Sequence, residues 1–175
     1  MPEAEMAGGV AAVSETGLTG GPVRFDYTAL DAERGRLFVA HMGAGALIDV
    51  DVRAHAVVRT LPDLRDVHGV IVVPDKHRVY ATATGSNQVV AVDEDSGQVV
   101  FRAPTHTYPD GLAYDPIRRT VWTTNEAAGT ETVIDATPAQ SARLSHWVVR
   151  WETLCTTRSS TRWWSRCKAA TTWPS

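Results

Sequence analysis

Short apolar runs separated by turn-forming residues recur along the chain. Apolar and β-branched residues alternate with small or polar ones at 78–84, and a second such run at 88–93 follows Gly-Ser-Asn. An apolar run precedes this pair at 68–74, and another follows an Asp-Ser-Gly turn signal at 98–104. Alternation of this kind, bounded by Gly, Asn, Asp and Pro, predicts short antiparallel β-strands. Because no stretch carries the apolar period of an amphipathic helix, the pattern predicts an all-β chain.

The four-strand pattern is an internal repeat. Segments 36–51, 78–93 and 120–135 align without gaps at a period of 42 residues. The same spacing separates the aromatic residues of the three copies, which are Phe38, Tyr80 and Trp122. A blade of a β-propeller is a twisted sheet of four antiparallel strands and takes roughly 40–45 residues. The repeat therefore predicts about three propeller blades, with the aromatic residues in the core between neighbouring blades.

The three copies resemble the YVTN-type β-propeller repeat. In that family each unit has a strand such as R-V-Y-V-A, an aspartate after the next strand, and a P-D-G-L-A start to the following blade. The matching segments are 36–40, 78–82 and 120–124 for the strand, Asp51, Asp93 and Asp135 for the aspartate, and 67–70 and 109–112 for the blade start. The resemblance covers residues 24–136. It implies a fragment of a ring of about seven blades, a fold that hosts many functions.

The repeat divides the chain into three parts. Residues 1–23 are predicted to be a flexible N-terminal extension. The blades are predicted at 24–66, 67–108 and 109–136, and the last is expected to lack its outermost strand because the repeat pattern stops there. Blades without neighbours expose apolar faces and strand edges. We therefore expect two open flanks and self-association through them.

The remaining part, 137–175, differs from the blades in composition. The whole chain has a net charge of −3, yet 143–175 holds six of its 17 basic residues and one of its 20 acidic residues. Five of the six tryptophans and both cysteines also lie there. Arginine interleaved with tryptophan can bind nucleic acid through phosphate contacts and stacking. We prefer a shifted reading frame as the interpretation, and it predicts no nucleic-acid partner.

Back-translation of the tail from its amino acids supports this interpretation. Because Trp has a single codon, a shifted frame forces Gly at Trp147–Val148, Val at Trp163–Trp164 and Ala at Trp173–Pro174. With permitted choices at the degenerate codons, the shifted tail reads like a further copy of the repeat. We therefore predict a frameshift near 135–146 and interpret 137–175 as its product.

Composition and motifs exclude several classes of protein. The chain is 43% hydrophobic and 21% charged, which is typical of a globular protein. No apolar run is long enough for a membrane helix, no secretory signal opens the sequence, and two cysteines are too few for a disulfide scaffold. We expect a cytoplasmic protein as written, and an exported one if the start is misassigned. The G-x-S-x-G, Walker A, H-E-x-x-H and EF-hand motifs are absent.

Two sets of polar residues are expected at the mouth of the central channel, where the inner strands begin and the second strands end. The first set comprises the equivalent residues Asp26, His68 and Asp110. The second set follows the second strands and comprises His41, Asn87, Asn125 and Glu126. Such side chains from separate blades can converge on a metal or a polar ligand. The alternative is a local role, because Asp and Asn also stabilise turns and His can bond to the backbone.

Two functions are compatible with these residues. The first is a binding or scaffold propeller without catalysis, whose ligand at the channel mouth is a small molecule or a protein. The second is an enzyme that resembles the gluconolactonase-type lactonases, in which a divalent cation, Ca²⁺ or Zn²⁺, polarises the lactone carbonyl and activates water. The candidate metal ligands are then Asp110, Asn125 and Glu126. A haem- or quinone-linked dehydrogenase is disfavoured because its ligand motifs are missing.

Overall fold

The described part of the chain folds into three blades of one design. The computed structural model describes residues 15–136 and the backbone of 149–150. The first blade consists of β1 (Thr28–Asp31), β2 (Arg36–His41), β3 (Ala46–Asp51) and β4 (Ala56–Leu61). The second consists of β5 (Val67–Val73), β6 (Arg78–Ala83), β7 (Gln88–Asp93) and β8 (Val99–Pro104). The third consists of β9 (Pro109–Asp115), β10 (Thr120–Asn125), β11 (Thr130–Asp135) and β12 (Val149–Arg150).

Every blade is an antiparallel sheet whose strands stand side by side in sequence order. The prediction of four strands per repeat is therefore confirmed. Short 3₁₀ turns are the only helical elements in the described segments, and none is long and apolar enough to cross a membrane.

The third blade differs from the sequence-based expectation at its outer edge. No fourth strand was predicted there, yet the two-residue strand β12 pairs with β11. The pairs are Thr130 with Arg150 and Glu131 with Val149. The expectation was wrong because an edge strand offers unpaired N–H and C=O groups, and any extended segment can satisfy them whatever its side chains.

The same tight turn joins the second and third strands of each blade. A single 3₁₀ turn ends there in a residue with left-handed backbone, which is Gly45, Asn87 or Gly129. Asn87 has a φ of 51°. Glycine adopts this conformation freely, and asparagine tolerates it better than most residues. The predicted turn role of Asn87 is therefore confirmed.

The aspartates that follow the third strands stabilise the next turn. Asp51 accepts hydrogen bonds from the backbone N–H groups of Arg53 and Ala54 through one carboxylate oxygen, each at 2.8 Å. Asp93 accepts one from the N–H of Ser96 at 2.9 Å. These donors lower the pKa of both carboxyl groups because they favour the charged form. The repeated aspartate thus has a local structural role.

Neighbouring blades pack through two faces. We call the face of a blade toward the preceding blade its leading face and the opposite one its trailing face. The trailing residues Phe38, Ala40 and Leu47 share a buried cluster with the leading residues Val79, Ala81, Val90 and Val92. The trailing residues Tyr80, Val89 and Ala91 share another with the leading residues Val121 and Ile134. Phe38 and Tyr80 are fully buried, which confirms their predicted place in the core between blades.

One buried ion group interrupts the apolar interface between the first two blades. Asp49 is 1% exposed and accepts a hydrogen bond from Arg36 Nε at 2.9 Å, with a second contact from the same guanidinium. Arg59 Nε lies 3.2 Å from the other oxygen. Two cations around one carboxylate compensate the loss of water that burial imposes.

The leading face of the first blade is not open, which corrects the expectation of two open flanks. Residues 15–25, which we call the strap, run across it. The hydroxyl groups of Thr19 and Thr60 are 2.7 Å apart, and the Gly43 N–H donates to the Arg24 carbonyl at 2.8 Å. An apolar sheet face gains free energy when any segment removes it from water, and the repeat pattern alone does not reveal such a segment.

Candidate functional site

The inner strands bring the first set of polar residues into one row. Strand β5 lies against both β1 and β9. The hydroxyl of Thr82 accepts a hydrogen bond from the Gly69 N–H at 2.7 Å and donates to the Asp110 carbonyl at 3.1 Å. This bridge fixes the start of β9 beside the start of β5. His68 and Asp110 therefore stand on adjacent strands at the same end of the blades.

His68 is the central residue of this row. Its side chain is 3% exposed, and its Nδ1 lies 2.8 Å from the carbonyl oxygen of Asp66. A carbonyl only accepts, so Nδ1 carries a proton, and in the neutral ring Nε2 remains an acceptor. Nε2 lies 3.2 Å from the hydroxyl of Tyr108 and 3.9 Å from Oδ2 of Asp26. The backbone thus selects one tautomer and directs Nε2 toward a phenol and a carboxylate.

Tyr108 is a site residue that is absent from both sets predicted from the sequence. Its ring meets that of His68 edge to face, with centroids 5.3 Å apart. Its N–H donates to Oδ1 of Asn87 at 3.0 Å, and its carbonyl accepts from the Glu126 N–H at 2.8 Å. The residue has a φ of 64°. Two anchors therefore hold an unusual backbone conformation that turns the phenol toward His68.

The two aspartates complete the row from either side. Asp26 is partly exposed, and its carboxylate approaches His68 from the first blade. Asp110 is half-buried, and its Oδ1 has no hydrogen-bond partner among the described residues. A buried oxygen without a partner lowers the free energy of unfolding, because it has lost its hydrogen bond to water without gaining a donor. We call Asp26, His68, Tyr108 and Asp110 the mouth site.

The second predicted set does not form a comparable cluster. Asn125 is buried and donates from Nδ2 to Thr130 at 3.1 Å and to Thr132 at 2.9 Å. Glu126 is exposed in the turn that follows. Asn87 serves the backbone of Tyr108 as described above. Asn87 and Asn125 thus have local partners of their own, and no geometry in the described residues joins this set to one ligand.

His41, the first member of that set, lies apart from the mouth site. It is fully buried on the leading side of the first blade, where its ring stacks on Phe25 with centroids 4.1 Å apart. Neither ring nitrogen has a hydrogen-bond partner among the described residues. Gly20 of the strap touches the ring, since a Cβ there would lie 2.8 Å from Nδ1.

The residues proposed as metal ligands do not form a complete site within the described segments. No group of three or more His, Cys, Asp or Glu side chains there is arranged to hold a metal ion. Oδ1 of Asp110 and Oδ1 of Asn125 have no hydrogen-bond partner among the described residues, but two threonines hold Asn125 through Nδ2 and Glu126 is exposed in a turn. A role for Ca²⁺ or Zn²⁺ stays a prediction.

Solved structures match the chain by fold. It is similar to a hydrazine synthase of Kuenenia stuttgartiensis, at 20% identity and a TM-score of 0.58, over 67% of this chain and 36% of that one. It is similar to a streptogramin B lyase, at 15% identity and a TM-score of 0.61, over 70% of this chain and 41% of that one. A chain of a mitotic checkpoint complex matches at 14% identity and a TM-score of 0.61, over 69% of this chain and 38% of that one.

These likenesses show the fold alone. The chain is an all-β, partial β-propeller, as predicted, and it spans about two fifths of the length of those three structures. No protein-family description and no curated protein matches the sequence. Membership of the YVTN repeat family therefore stays a prediction.

Proposed function

We propose that the chain is a β-propeller binding protein whose ligand contacts the mouth site. The observation that carries this proposal is the setting of His68. Its ring is buried, Nδ1 is anchored to a backbone carbonyl, and Nε2 faces Tyr108 and Asp26. Polar groups that converge on one point at the end of a propeller channel are typical of a ligand site.

The chemistry of the mouth site favours a ligand that brings hydrogen-bond donors. It offers two carboxylates, from Asp26 and Asp110, while the single lone pair of His68 Nε2 accepts from Tyr108. The Tyr108 hydroxyl, once it donates to His68, has only lone pairs left to offer. An ammonium group satisfies such acceptors and is attracted by the carboxylates. A small amine and a lysine side chain of a partner protein share this chemistry.

The lactonase alternative stays a prediction. It requires a divalent cation, and the candidate ligands Asp110, Asn125 and Glu126 have separate surroundings. The binding proposal uses only the described side chains. Both functions are tested with the same sample, because metal ions and lactones can be included among the probes.

The proposal is tested by nuclear magnetic resonance of the full chain with labelled histidine. We expect 1,4-diaminobutane to shift the His68 signal in a saturable manner, and D-gluconate, an anion of similar size, to leave it unchanged. Asp26→Asn should weaken binding about tenfold, since it removes one polar contact. His68→Gln, measured by isothermal titration calorimetry because the reporting ring is gone, should weaken binding as well, since Tyr108 loses the acceptor that orients its hydroxyl. A lysine-containing peptide, added in competition, distinguishes a small amine from a protein side chain as the source of the ammonium.

His77→Gln is the matched control. His77 precedes β6, at the other end of the second blade, and its ring faces Arg34. This variant should bind 1,4-diaminobutane like the parent. Absence of any saturable shift with the diamine, in folded protein, would contradict the proposal. A shift caused by Ca²⁺ or Zn²⁺, together with hydrolysis of glucono-1,5-lactone, would support the lactonase instead.

A further inference from the structure

The trailing face of the third blade is equivalent in the repeat to the trailing faces of the first and second blades. Each of those two faces packs against the blade that follows it. Trp122 stands 42 positions after Tyr80, and Thr124 stands 42 positions after Thr82. Tyr80 is fully buried against the third blade, and Thr82 bonds to the Asp110 carbonyl. Among the described residues, Trp122 is only half-buried and Thr124 is exposed.

The inner strands of the second and third blades have equivalent glycines, Gly69 and Gly111, in different surroundings. Gly69 is required because the main-chain oxygen of Asp110 occupies the place of its Cβ. Gly111, its equivalent, has no described atom within 4 Å of a Cβ built on it. The third blade is thus shaped for the close approach of another inner strand.

The leading face of the first blade is the complementary surface. Leu37, Val39 and Val50 stand at the positions of Val79, Ala81 and Val92, which pack on the first blade. Instead of a preceding blade, this face meets the strap. Between the strap and this face lies an open cavity of about 330 Å³, lined by Leu18 of the strap and by Leu37, Val39 and Val50 of the blade.

The strap fills this face incompletely. Leu18 lines the cavity but is 37% exposed, and Val23 is 46% exposed. The hydrogen bond between Thr19 and Thr60 lies at the surface. A segment held in this way is displaced at a small free-energy cost compared with the burial of a blade face.

Polar groups on the two surfaces are also complementary. Glu131 stands at the position of Leu47 and Val89, and His41 stands at the position of Ala83. Leu47 and Ala83 belong to the same buried cluster between the first and second blades. The repeat therefore places the carboxylate at 131, which accepts from Thr124 Oγ1 at 2.9 Å, in the same interface as the imidazole at 41 when a third blade meets a first blade. His41 has two ring nitrogens without partners among the described residues.

We propose that two copies of this chain associate head to tail, with the third blade of one on the first blade of the other. Trp122 enters the cavity in place of the strap, Glu131 bonds to His41, and the inner strand at Asp26 packs on Gly111. Heterologous contacts of this kind generate rings when the rotation closes. The described residues of two copies supply six blades, within the range of about four to eight for closed propellers.

Association completes the mouth site. In the ring, Asp26 of one copy stands beside Asp110 of the other, as His68 stands beside Asp26 within one chain. The channel mouth then carries two copies of Asp26, His68 and Asp110 around one axis.

The test is light scattering of the full chain over a range of protein concentrations. We expect a particle of twice the 19.0 kDa chain mass. Trp122→Ala should weaken association at least about tenfold, as truncation of a central aromatic anchor does. Gly20→Ala should strengthen it, because a Cβ at Gly20 would lie 2.5 Å from Cε1 of His41 and push the strap away.

Cross-linking decides the orientation. Thr124→Cys and Asp26→Cys are made separately in a background in which Cys155 and Cys167 are serine, and a short bismaleimide is added. Head-to-tail association predicts a cross-linked dimer only when the two variants are mixed. A dimer from Thr124→Cys alone indicates like faces in contact and overturns the proposal.

A monomer at every concentration, unchanged by Trp122→Ala, also overturns it and indicates that another segment of the chain covers the trailing face. If Trp122→Ala fails to fold, Thr124→Arg replaces it. Thr124 is exposed, so this change leaves the folded monomer intact while it blocks the interface.

Discussion

The α-carbon of Gly69 lies so close to the main-chain oxygen of Asp110 that no Cβ fits between them. This contact joins the second and third blades at their inner strands, next to the mouth site. Any side chain at this position must push β9 away from β5.

Gly69→Ala is therefore expected to destabilise the fold by about 1–3 kcal/mol, the usual range for overpacking. Gly111→Ala is the matched control, since no described atom lies within 4 Å of a Cβ at that position. Chemical denaturation of both variants at low protein concentration measures the difference. Equal losses of stability would show that close approach is not the reason for glycine at 69.

Thr82 supplies the polar counterpart of the same contact. Its hydroxyl accepts from the Gly69 N–H and donates to the Asp110 carbonyl, and the side chain is fully buried. Thr82→Val keeps the shape but leaves both backbone groups without this partner, at an expected cost of about 1–3 kcal/mol. Thr124→Val, at the equivalent exposed position, removes only the surface hydrogen bond to Glu131 at 2.9 Å and should change the free energy of unfolding by less than about 1 kcal/mol. Denaturant midpoints of the two variants measure these losses, and equal losses would contradict the role assigned to Thr82.

Glu94 predicts a dependence of stability on pH. It is 1% exposed, near Asp31, with Arg34 Nη1 at 3.9 Å from Oε2. Burial and the charge of Asp31 raise the pKa of Glu94 to about 7, against the opposing effect of Arg34. The folded chain therefore holds this proton more tightly than the unfolded chain. Asp95 and His77 also contact Arg34, whose guanidinium keeps its charge throughout this pH range.

Proton linkage gives the direction in which the stability of the fold changes with pH. The stabilising effect of the protonated group is complete below the ordinary pKa of 4.5 and is lost as the pH rises to about 7. Glu94→Gln should remove this slope and should be more stable than the parent above pH 7, by on the order of 2 kcal/mol. Thermal melts of both proteins between pH 4 and pH 8 provide the measurement. A parallel pH profile in the variant would assign the titration to another group.

Neutralising the buried carboxylate of Asp49 is expected to lower the stability of the fold strongly. Asp49→Asn leaves the guanidinium groups of Arg36 and Arg59 near the interface without their anion. Breaking a buried pair in this way typically costs about 3–5 kcal/mol. Lys76→Ala, which removes the surface contact to Asp75 at 3.0 Å, should cost less than about 1 kcal/mol. Comparable losses for the two variants would contradict the buried-ion interpretation.

The sequence by itself determined the blades. The 42-residue spacing of Phe38, Tyr80 and Trp122 fixed the repeat, and the alternation between turn signals fixed the strands. The alternation and the turn residues are local signals, since side-chain period and turn chemistry are properties of short segments. The repeat is visible because the same local signals recur at one spacing. The row of Asp26, His68 and Asp110 was also predictable, because equivalent positions in a repeat occupy equivalent places.

The tertiary structure alone decided which of these residues face one another. Tyr108 joined the mouth site because Asn87 and Glu126, distant in sequence, hold its backbone. His41 lies apart from the mouth site because the strap buries its imidazole ring, which stacks on Phe25 of the strap. Contacts between segments that share no repeat pattern depend on packing and on unpaired backbone groups, and neither leaves a periodic trace in the sequence.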